Sequence, residues 1–159
     1  MNAIKVFNKV RDLPYHCPEY LKDKNYTCWG KHRILYAELK KLGYKVRFRV
    51  CSFKWSELRL PKEVSQLAPT DLDKHLYLEI FLDNRWIVLD CSDDYKLPGY
   101  NLWNGKSDCK IEVKAIRIFS PAESIKLEQE IRTNFDVIIK QYGKLYRAVN
   151  LFLSKIRKK

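Results

Sequence analysis

The stretch Thr27-Cys28-Trp29-Gly30-Lys31-His32 places a cysteine where an amphipathic helix is predicted to begin. Leu35 and Leu39 follow on one apolar stripe, and the helix is expected to span residues 27–42 and to stop at Gly43. The positive end of a helix dipole and its unpaired N–H groups favour a thiolate. Cys28 is therefore a candidate nucleophile whose partners must lie elsewhere in the chain.

The composition favours one folded domain with an appendage. The chain has 159 residues, of which 46% are hydrophobic, which suffices for one sizeable core. We expect a core domain over residues 1–119 and a helical extension over residues 120–159. No apolar run approaches the length of a membrane span and the first residues lack a signal-peptide core, so a cytoplasmic protein is expected.

The cysteines and the charge bear on cofactors and partners. Five irregularly spaced cysteines without a Cys-x-x-Cys pair favour reduced thiols over a disulfide framework or a metal site. The formal net charge of +12 is compatible with nucleic acid, an anionic membrane or an acidic protein as partner. Because the basic residues are scattered along the whole chain, a Lys-rich solvated surface is the preferred interpretation.

Two strand patterns, over residues 75–82 and 85–91, are joined by Asp83-Asn84, which suits a tight hairpin turn. If Leu82 pairs with Arg85, the register places His75 and Asp90 on one face as diagonal neighbours, roughly 7–8 Å apart between their Cα atoms. A slip of one residue would put them on opposite faces. A further strand is predicted over residues 46–51 and another over residues 110–119.

Two long connections, residues 52–74 and 92–109, separate these strands and are expected to cover a site. Aromatic residues on the second, Trp103 among them, either line a substrate groove or fasten the loop to the surface. Tyr77, which shares a face with His75, is a further candidate for substrate contact.

From Ser120 the chain is predicted to be helical almost to its end, starting with a capping box that includes Glu123. Apolar residues then repeat at steps of four and three over residues 131–156, which is a heptad seam, and Gly143 inside it is a candidate bend. The seam predicts a helix that packs back on the domain, a homodimer contact, or a helix that lies on anionic lipid.

Cys28, His75 and Asp90 have the chemistry of a nucleophile, a general base and a group that orients the base. Each also has a plainer interpretation. A helix cysteine is often a small buried hydrophobe, a strand histidine is often a packing residue, and Asp90 is placed to cap a turn with Ser92.

The block from Thr27 to Arg47 resembles the nucleophile helix and following strand of the transglutaminase-like superfamily. His75-Leu76-Tyr77-Leu78-Glu79-Ile80 and Trp86-Ile87-Val88-Leu89-Asp90 are similar to the His strand and the Trp-x-x-x-Asp strand of that superfamily. The resemblance covers residues 1–90. It does not extend to the C-terminal helix.

The resemblance implies an α+β, papain-like fold, in which a nucleophile helix packs on an antiparallel sheet, here followed by a long C-terminal amphipathic helix. It assigns nucleophile to Cys28, general base and acid to His75, and orientation to Asp90, with no metal or organic cofactor. The second oxyanion donor has no clear counterpart, and Asn25, Tyr26 and Trp29 are candidates. Tyr26 stands where family members often have glycine.

These residues predict acyl transfer through a thioester. Hydrolysis of a peptide or other amide bond is expected first, with a peptide or protein substrate, and transglutamination or transfer from an acyl carrier next. The rival hypothesis is a binding module that retains the fold without turnover and uses its basic surface and C-terminal helix to hold nucleic acid or a protein partner.

Overall fold

The structure, a computed structural model, describes residues 2–158. Within that range the chain forms five α-helices and three β-strands. The elements are α1 Ala3–Arg11, α2 Cys28–Lys41, β1 Val46–Lys54, a 3-10 turn at Trp55–Glu57, α3 Lys62–Ser65, β2 Leu72–Leu82, β3 Arg85–Leu89, α4 Pro121–Thr133 and α5 Phe135–Arg157. The predicted α+β class with an antiparallel sheet and a long last helix is confirmed.

The strands form one antiparallel sheet in the order β1-β2-β3. Leu82 pairs with Arg85, as predicted, and the register continues to Leu78 opposite Leu89. Asp83 and Asn84 both have positive φ angles, of 50° and 64°, which is the conformation of a two-residue hairpin turn that matches the strand twist. The turn therefore fixes which side chains of β2 and β3 share a face.

One face of the sheet packs against α1 and α2. The core residues between them are Val6, Phe7, Val10, Leu35, Leu39, Leu78, Ile80, Ile87 and Leu89, all of them buried. The alternation along β2 and β3 places these strand residues towards the two helices. Because α2 packs on β2, its first turns come close to His75, and the rings of His32 and His75 lie 6.4 Å apart.

The two C-terminal helices meet at Asn134, not at Gly143. Asn134 leaves the helical conformation with φ −98° and ψ 20°, and its Nδ2 donates to the carbonyl of Glu130. Gly143 lies inside α5 without a break. The glycine was the wrong marker because an amide side chain that binds the preceding turn ends a helix, whereas a helical glycine only weakens it.

The seam helix packs back on the rest of the chain. Leu145, Val149 and Leu153 of α5 are buried in a second apolar cluster with Cys17, Val64 and Leu97. Polar contacts reinforce this packing, since Asn150 exchanges hydrogen bonds with the backbone of Cys17 and Arg157 forms a salt bridge with Asp94.

The predicted strand over residues 110–119 is wrong, apart from one bridge between Ile118 and Cys51. Its second half runs along the edge of β1, where Ser52 donates to the carbonyl of Arg117 at 2.9 Å. Its first half turns away because the backbone N–H of Glu112 donates to the Asp90 carboxylate at 2.9 Å. An alternating pattern does not reveal that half of the segment binds a side chain.

Across residues 2–158, none of the helices has the length and apolar character needed to cross a membrane.

Candidate active site

Cys28 is the first residue of α2 and lies on the wall of a cavity. The hydroxyl of Thr27, the residue before the helix, donates to Oδ1 of Asn25 at 2.6 Å and makes no cap on the first turn. Unpaired N–H groups and the positive end of the dipole therefore remain beside the thiol. Cys28 is 9% exposed, so the thiol is shielded but reachable from the cavity.

Gly30 is required by the way the chain enters α2. A Cβ atom at Gly30 would lie 1.7 Å from the carbonyl oxygen of Asn25. The backbone of residue 25 is thus pressed against the first turn of the helix. This close approach fixes the position of Asn25, and through it the direction from which the chain reaches Cys28.

His75 and Asp90 are brought together as the hairpin register predicted. Nε2 of His75 lies 2.8 Å from Oδ2 of Asp90, and both side chains are buried. Cys28 lines the same cavity as His75 and is close enough to raise the pKa of the ring. Because Asp90 binds Nε2, Nδ1 is the ring nitrogen left for the thiol.

The Asp90 carboxylate is fixed by several donors besides His75. Oδ1 accepts from the hydroxyl of Ser92 at 2.6 Å and from its N–H at 3.1 Å, and Oδ2 accepts from the N–H of Glu112. These bonds hold the carboxylate in one orientation and stabilise its charge. Asp90 therefore caps a turn with Ser92, as the plainer interpretation predicted, and it also binds His75.

The pKa of His75 is raised and the pKa of Asp90 is lowered, which favours the charged form of both side chains. Burial lowers the pKa of His75, but the Asp90 charge and the Cys28 thiol raise it well above its usual value. Burial raises the pKa of Asp90, but His75 and His32 hold it below its usual range. At neutral pH the pair is imidazolium and carboxylate.

His32 is a second buried histidine that the sequence argument did not assign to the site. Its Nε2 accepts from the N–H of Cys91 at 3.0 Å, so its Nδ1 carries the proton and donates to the carbonyl of Cys28 at 2.7 Å. Burial lowers its pKa to about 4, so the ring is neutral. A histidine four residues after Cys28 in a helix is the signal that could have revealed this contact.

Lys31 makes the second link between α2 and the end of β3. Its buried Nζ donates to the carbonyls of Arg11 and Ser92 at 2.8 and 2.9 Å. Together, Lys31 and His32 tie the first turn of α2 to the backbone around Asp90. The distance between the thiol and the carboxylate therefore depends on these two side chains.

Two more carboxyl groups border the site. Burial and the charges of Asp90 and Asp93 raise the pKa of Glu112 to about 10. Burial and Asp90 raise the pKa of Asp93 to about 6. Oε2 of Glu112 accepts from the N–H of Asp93 at 2.9 Å. Glu112 is accordingly a neutral acid at pH 7, and the sequence contained no sign of it.

The cavity has a volume of about 610 Å³ and extends from Cys28 and His75 along α5. Asn25 and Trp29, both predicted near the oxyanion, are part of its wall. So are Tyr15 and Tyr146, which the sequence analysis did not select. Burial raises the pKa of Tyr146, and the nearby thiols of Cys17 and Cys28 raise it further.

The other three predicted contacts lie elsewhere. Tyr26 lines a separate shallow pocket on the surface, and its N–H donates to the carbonyl of His16. Tyr77 is buried on the sheet, with its ring stacked on His75 at 6.4 Å. Trp103 packs on Phe7 in the main core, which agrees with the alternative that loop aromatics fasten the loop.

All five cysteines are free and buried thiols. In the part of the chain that the structure describes, no three His, Cys, Asp or Glu side chains are grouped so that they could hold a metal ion.

Comparison of the chain with models of known protein families, with curated proteins and with solved structures found no significant match.

Proposed function

We propose that the protein catalyses acyl transfer through a thioester on Cys28, with the papain-like arrangement of the transglutaminase-like superfamily. The observation that carries the proposal is the His75 imidazole, which binds the Asp90 carboxylate at 2.8 Å and lies on the same cavity wall as the Cys28 thiol. A thiol at a helix start, a base and a group that orients the base are the parts that nucleophilic catalysis needs. Hydrolysis of an amide is the default reaction, because water is the most abundant acceptor.

In the proposed reaction the resting site holds a Cys28 thiolate and a His75 imidazolium. The sulfur attacks the substrate carbonyl carbon, a C–S bond forms, and an electron pair moves to the carbonyl oxygen. When that pair returns, the C–N bond breaks and the amine leaves with the proton of His75. Water then attacks the thioester and gives a proton to His75, and breakage of the C–S bond restores the thiolate.

The oxyanion would be stabilised at the start of α2. The backbone N–H of Cys28 is one donor, since the first N–H groups of a helix have no partner within it. Asn25 is the preferred second donor. The Oδ1 atom of Asn25 accepts two hydrogen bonds from Thr27. The Nδ2 atom of Asn25 makes no hydrogen bond within residues 2–158, and Asn25 lies on the wall of the cavity.

The proposal is tested by alkylation of the native protein with iodoacetamide across a range of pH, with each cysteine followed by mass spectrometry. Cys28 should react at pH 6.5 and lose about tenfold to 100-fold of that rate in His75→Ala, because an ordinary thiol is only about 1% thiolate there. Cys109 is the internal reference, since burial raises its pKa to about 12.

A Cys28 that reacts no faster than Cys109, or equally fast in His75→Ala, would contradict the proposal. The binding-module hypothesis would then remain. Thermal unfolding of His75→Ala controls for loss of the fold.

A further inference from the structure

The apolar seam of α5 faces the cavity. Six residues of the seam form one wall, and we call them the cavity stripe: Phe135, Ile138, Tyr142, Val149, Phe152 and Ile156. They span the 22 residues from Phe135 to Ile156, or about 30 Å of helix at the usual rise per residue. The cavity is therefore long relative to its volume of about 610 Å³.

Part of the opposite wall is also apolar and belongs to the same chain. Phe53, Trp55, Leu60 and Leu97 contribute to this part, while charged residues such as Arg59, Lys74 and Lys114 lie elsewhere on the wall. Apart from Val149, the residues of the cavity stripe are only partly buried, so apolar surface remains uncovered inside the molecule. Uncovered apolar surface of this kind is typical of a binding site for an apolar ligand.

The nucleophile opens into the same cavity. Cys28 and His75 are part of its wall, and Tyr146, between the two halves of the cavity stripe, is close enough for the Cys28 charge to raise its pKa. Whatever occupies the cavity therefore lies next to the thiol. An occupant that extends along the cavity stripe would hold its reactive carbon at Cys28.

We propose that the cavity holds a linear aliphatic chain, so that the acyl group transferred to Cys28 is a fatty acyl group. This inference rests on the proposed function and names its substrate class. An extended peptide fits less well, because each residue carries an N–H and a C=O that the apolar side chains of the cavity stripe would leave unpaired. A second copy of α5 fits less well too, since the opposite wall is already supplied by this chain.

The chemical step is the one described above, with the carbonyl carbon of a fatty amide at the Cys28 sulfur. The C–N bond breaks, the amine leaves with the proton of His75, and the acyl chain stays in the cavity as a thioester until water releases it. Burial of each methylene group contributes to binding in proportion to the apolar area removed from water.

The test measures binding of butanamide, hexanamide, octanamide and decanamide to Cys28→Ala by isothermal titration calorimetry. Each added methylene should lower the dissociation constant about fourfold, until the chain reaches the end of the cavity. Because Cys28→Ala has no nucleophile, the result is independent of turnover. If Cys28 fails the alkylation test but affinity still depends on chain length, the proposed reaction is refuted. If Cys28 passes the alkylation test but affinity does not depend on chain length, the fatty acyl substrate is refuted.

Two substitutions should block the cavity, Ile138→Trp towards one end and Ile156→Trp towards the other, both made in Cys28→Ala. At least one of them should abolish the dependence on chain length. The matched control is Leu151→Trp, which adds the same side chain to α5 at a position that is 63% exposed. It should leave the affinities unchanged, and thermal unfolding would verify that each variant is folded.

The proposal would be overturned if affinity did not depend on chain length, or if folded blocking variants bound decanamide as well as Leu151→Trp does. The protein could also prove to be a dimer in solution that Ile138→Trp or Ile156→Trp dissociates and Leu151→Trp preserves. That result would assign the cavity stripe to a second copy of the chain and would overturn the proposal as well.

Discussion

The charge on His75 is set by the two side chains that flank its ring. Burial opposes the charged form, but Asp90 contributes the largest raising effect on the pKa and Cys28 the next. Asp90 is itself held by Ser92 and Glu112, which stabilises its negative charge independently of Cys28. Asp90 is thus expected to keep His75 oriented through both halves of the proposed reaction.

The first prediction concerns the pKa of His75, measured by NMR titration of its imidazole nitrogens. Asp90→Asn should lower this pKa more than Cys28→Ala does, because removal of Asp90 takes away both its charge and its hydrogen bond. His32 is an internal reference, since burial lowers its pKa to about 4 and it should stay neutral throughout. A larger decrease in Cys28→Ala than in Asp90→Asn would contradict this order.

At the scale of elements, the hairpin shows what the sequence could predict. Asp83-Asn84 marks a two-residue turn, the turn determines the register, and the register places His75 and Asp90 on one face. Each step follows from local residue chemistry, so no knowledge of distant packing was needed. The start of α2 at Cys28 was predictable for the same reason.

The contacts that could not be predicted come from residues far apart in the chain or from side chains that replace backbone pairing. Glu112 approaches Asp90 across 22 positions and takes residues 110–115 out of the expected strand. Asn134, rather than Gly143, separates the last two helices by binding the turn before it. Alternation and propensity describe one element at a time and contain no information on such contacts.

The second prediction compares two helical glycines. Gly30→Ala should lower the free energy of unfolding by about 1–3 kcal/mol, because its Cβ would lie 1.7 Å from a backbone oxygen that no rotamer change can move. Gly143→Ala should instead raise it by about 0.5–1 kcal/mol, since its Cβ would meet only Arg147 Nη2, at 3.8 Å. Urea unfolding measures both.

The same pair of variants also tests the role of the first turn of α2. Gly30→Ala should slow alkylation of Cys28, because the chain around Asn25 must shift, whereas Gly143→Ala should not. Equal stabilities for the two alanine variants would show that residue 25 can move away from α2 without loss.

At the scale of the whole molecule, a basic chain gathers carboxyl groups around its candidate site. The formal net charge is +12, yet Asp90, Asp93 and Glu112 lie close enough together to shift one another's pKa. Three carboxyl groups so close together and largely shielded from water cannot all ionise at low cost. One of them, Glu112, keeps its proton, which links the stability of the whole chain to pH.

The last prediction follows from that proton. The pKa of Glu112 is about 10 in the folded chain and near its ordinary value of 4.5 in the unfolded chain. Between these values the folded chain holds a proton that the unfolded chain releases, so this group stabilises the fold at low pH and the contribution is lost as pH rises. Glu112→Gln copies the neutral acid and removes the titration.

The melting temperature of Glu112→Gln should therefore exceed that of the unmodified chain by about 2–4 °C at pH 8, which corresponds to ~1 kcal/mol in the free energy of unfolding. At pH 4 the two melting temperatures should match. The control is Glu63→Gln, which removes the same charge from an exposed position on α3. Differential scanning calorimetry from pH 4 to pH 9 measures all three proteins. A constant difference between Glu112→Gln and the unmodified chain across this range would mean that Glu112 is ionised in the fold, because only a group protonated in the folded state makes the difference grow with pH.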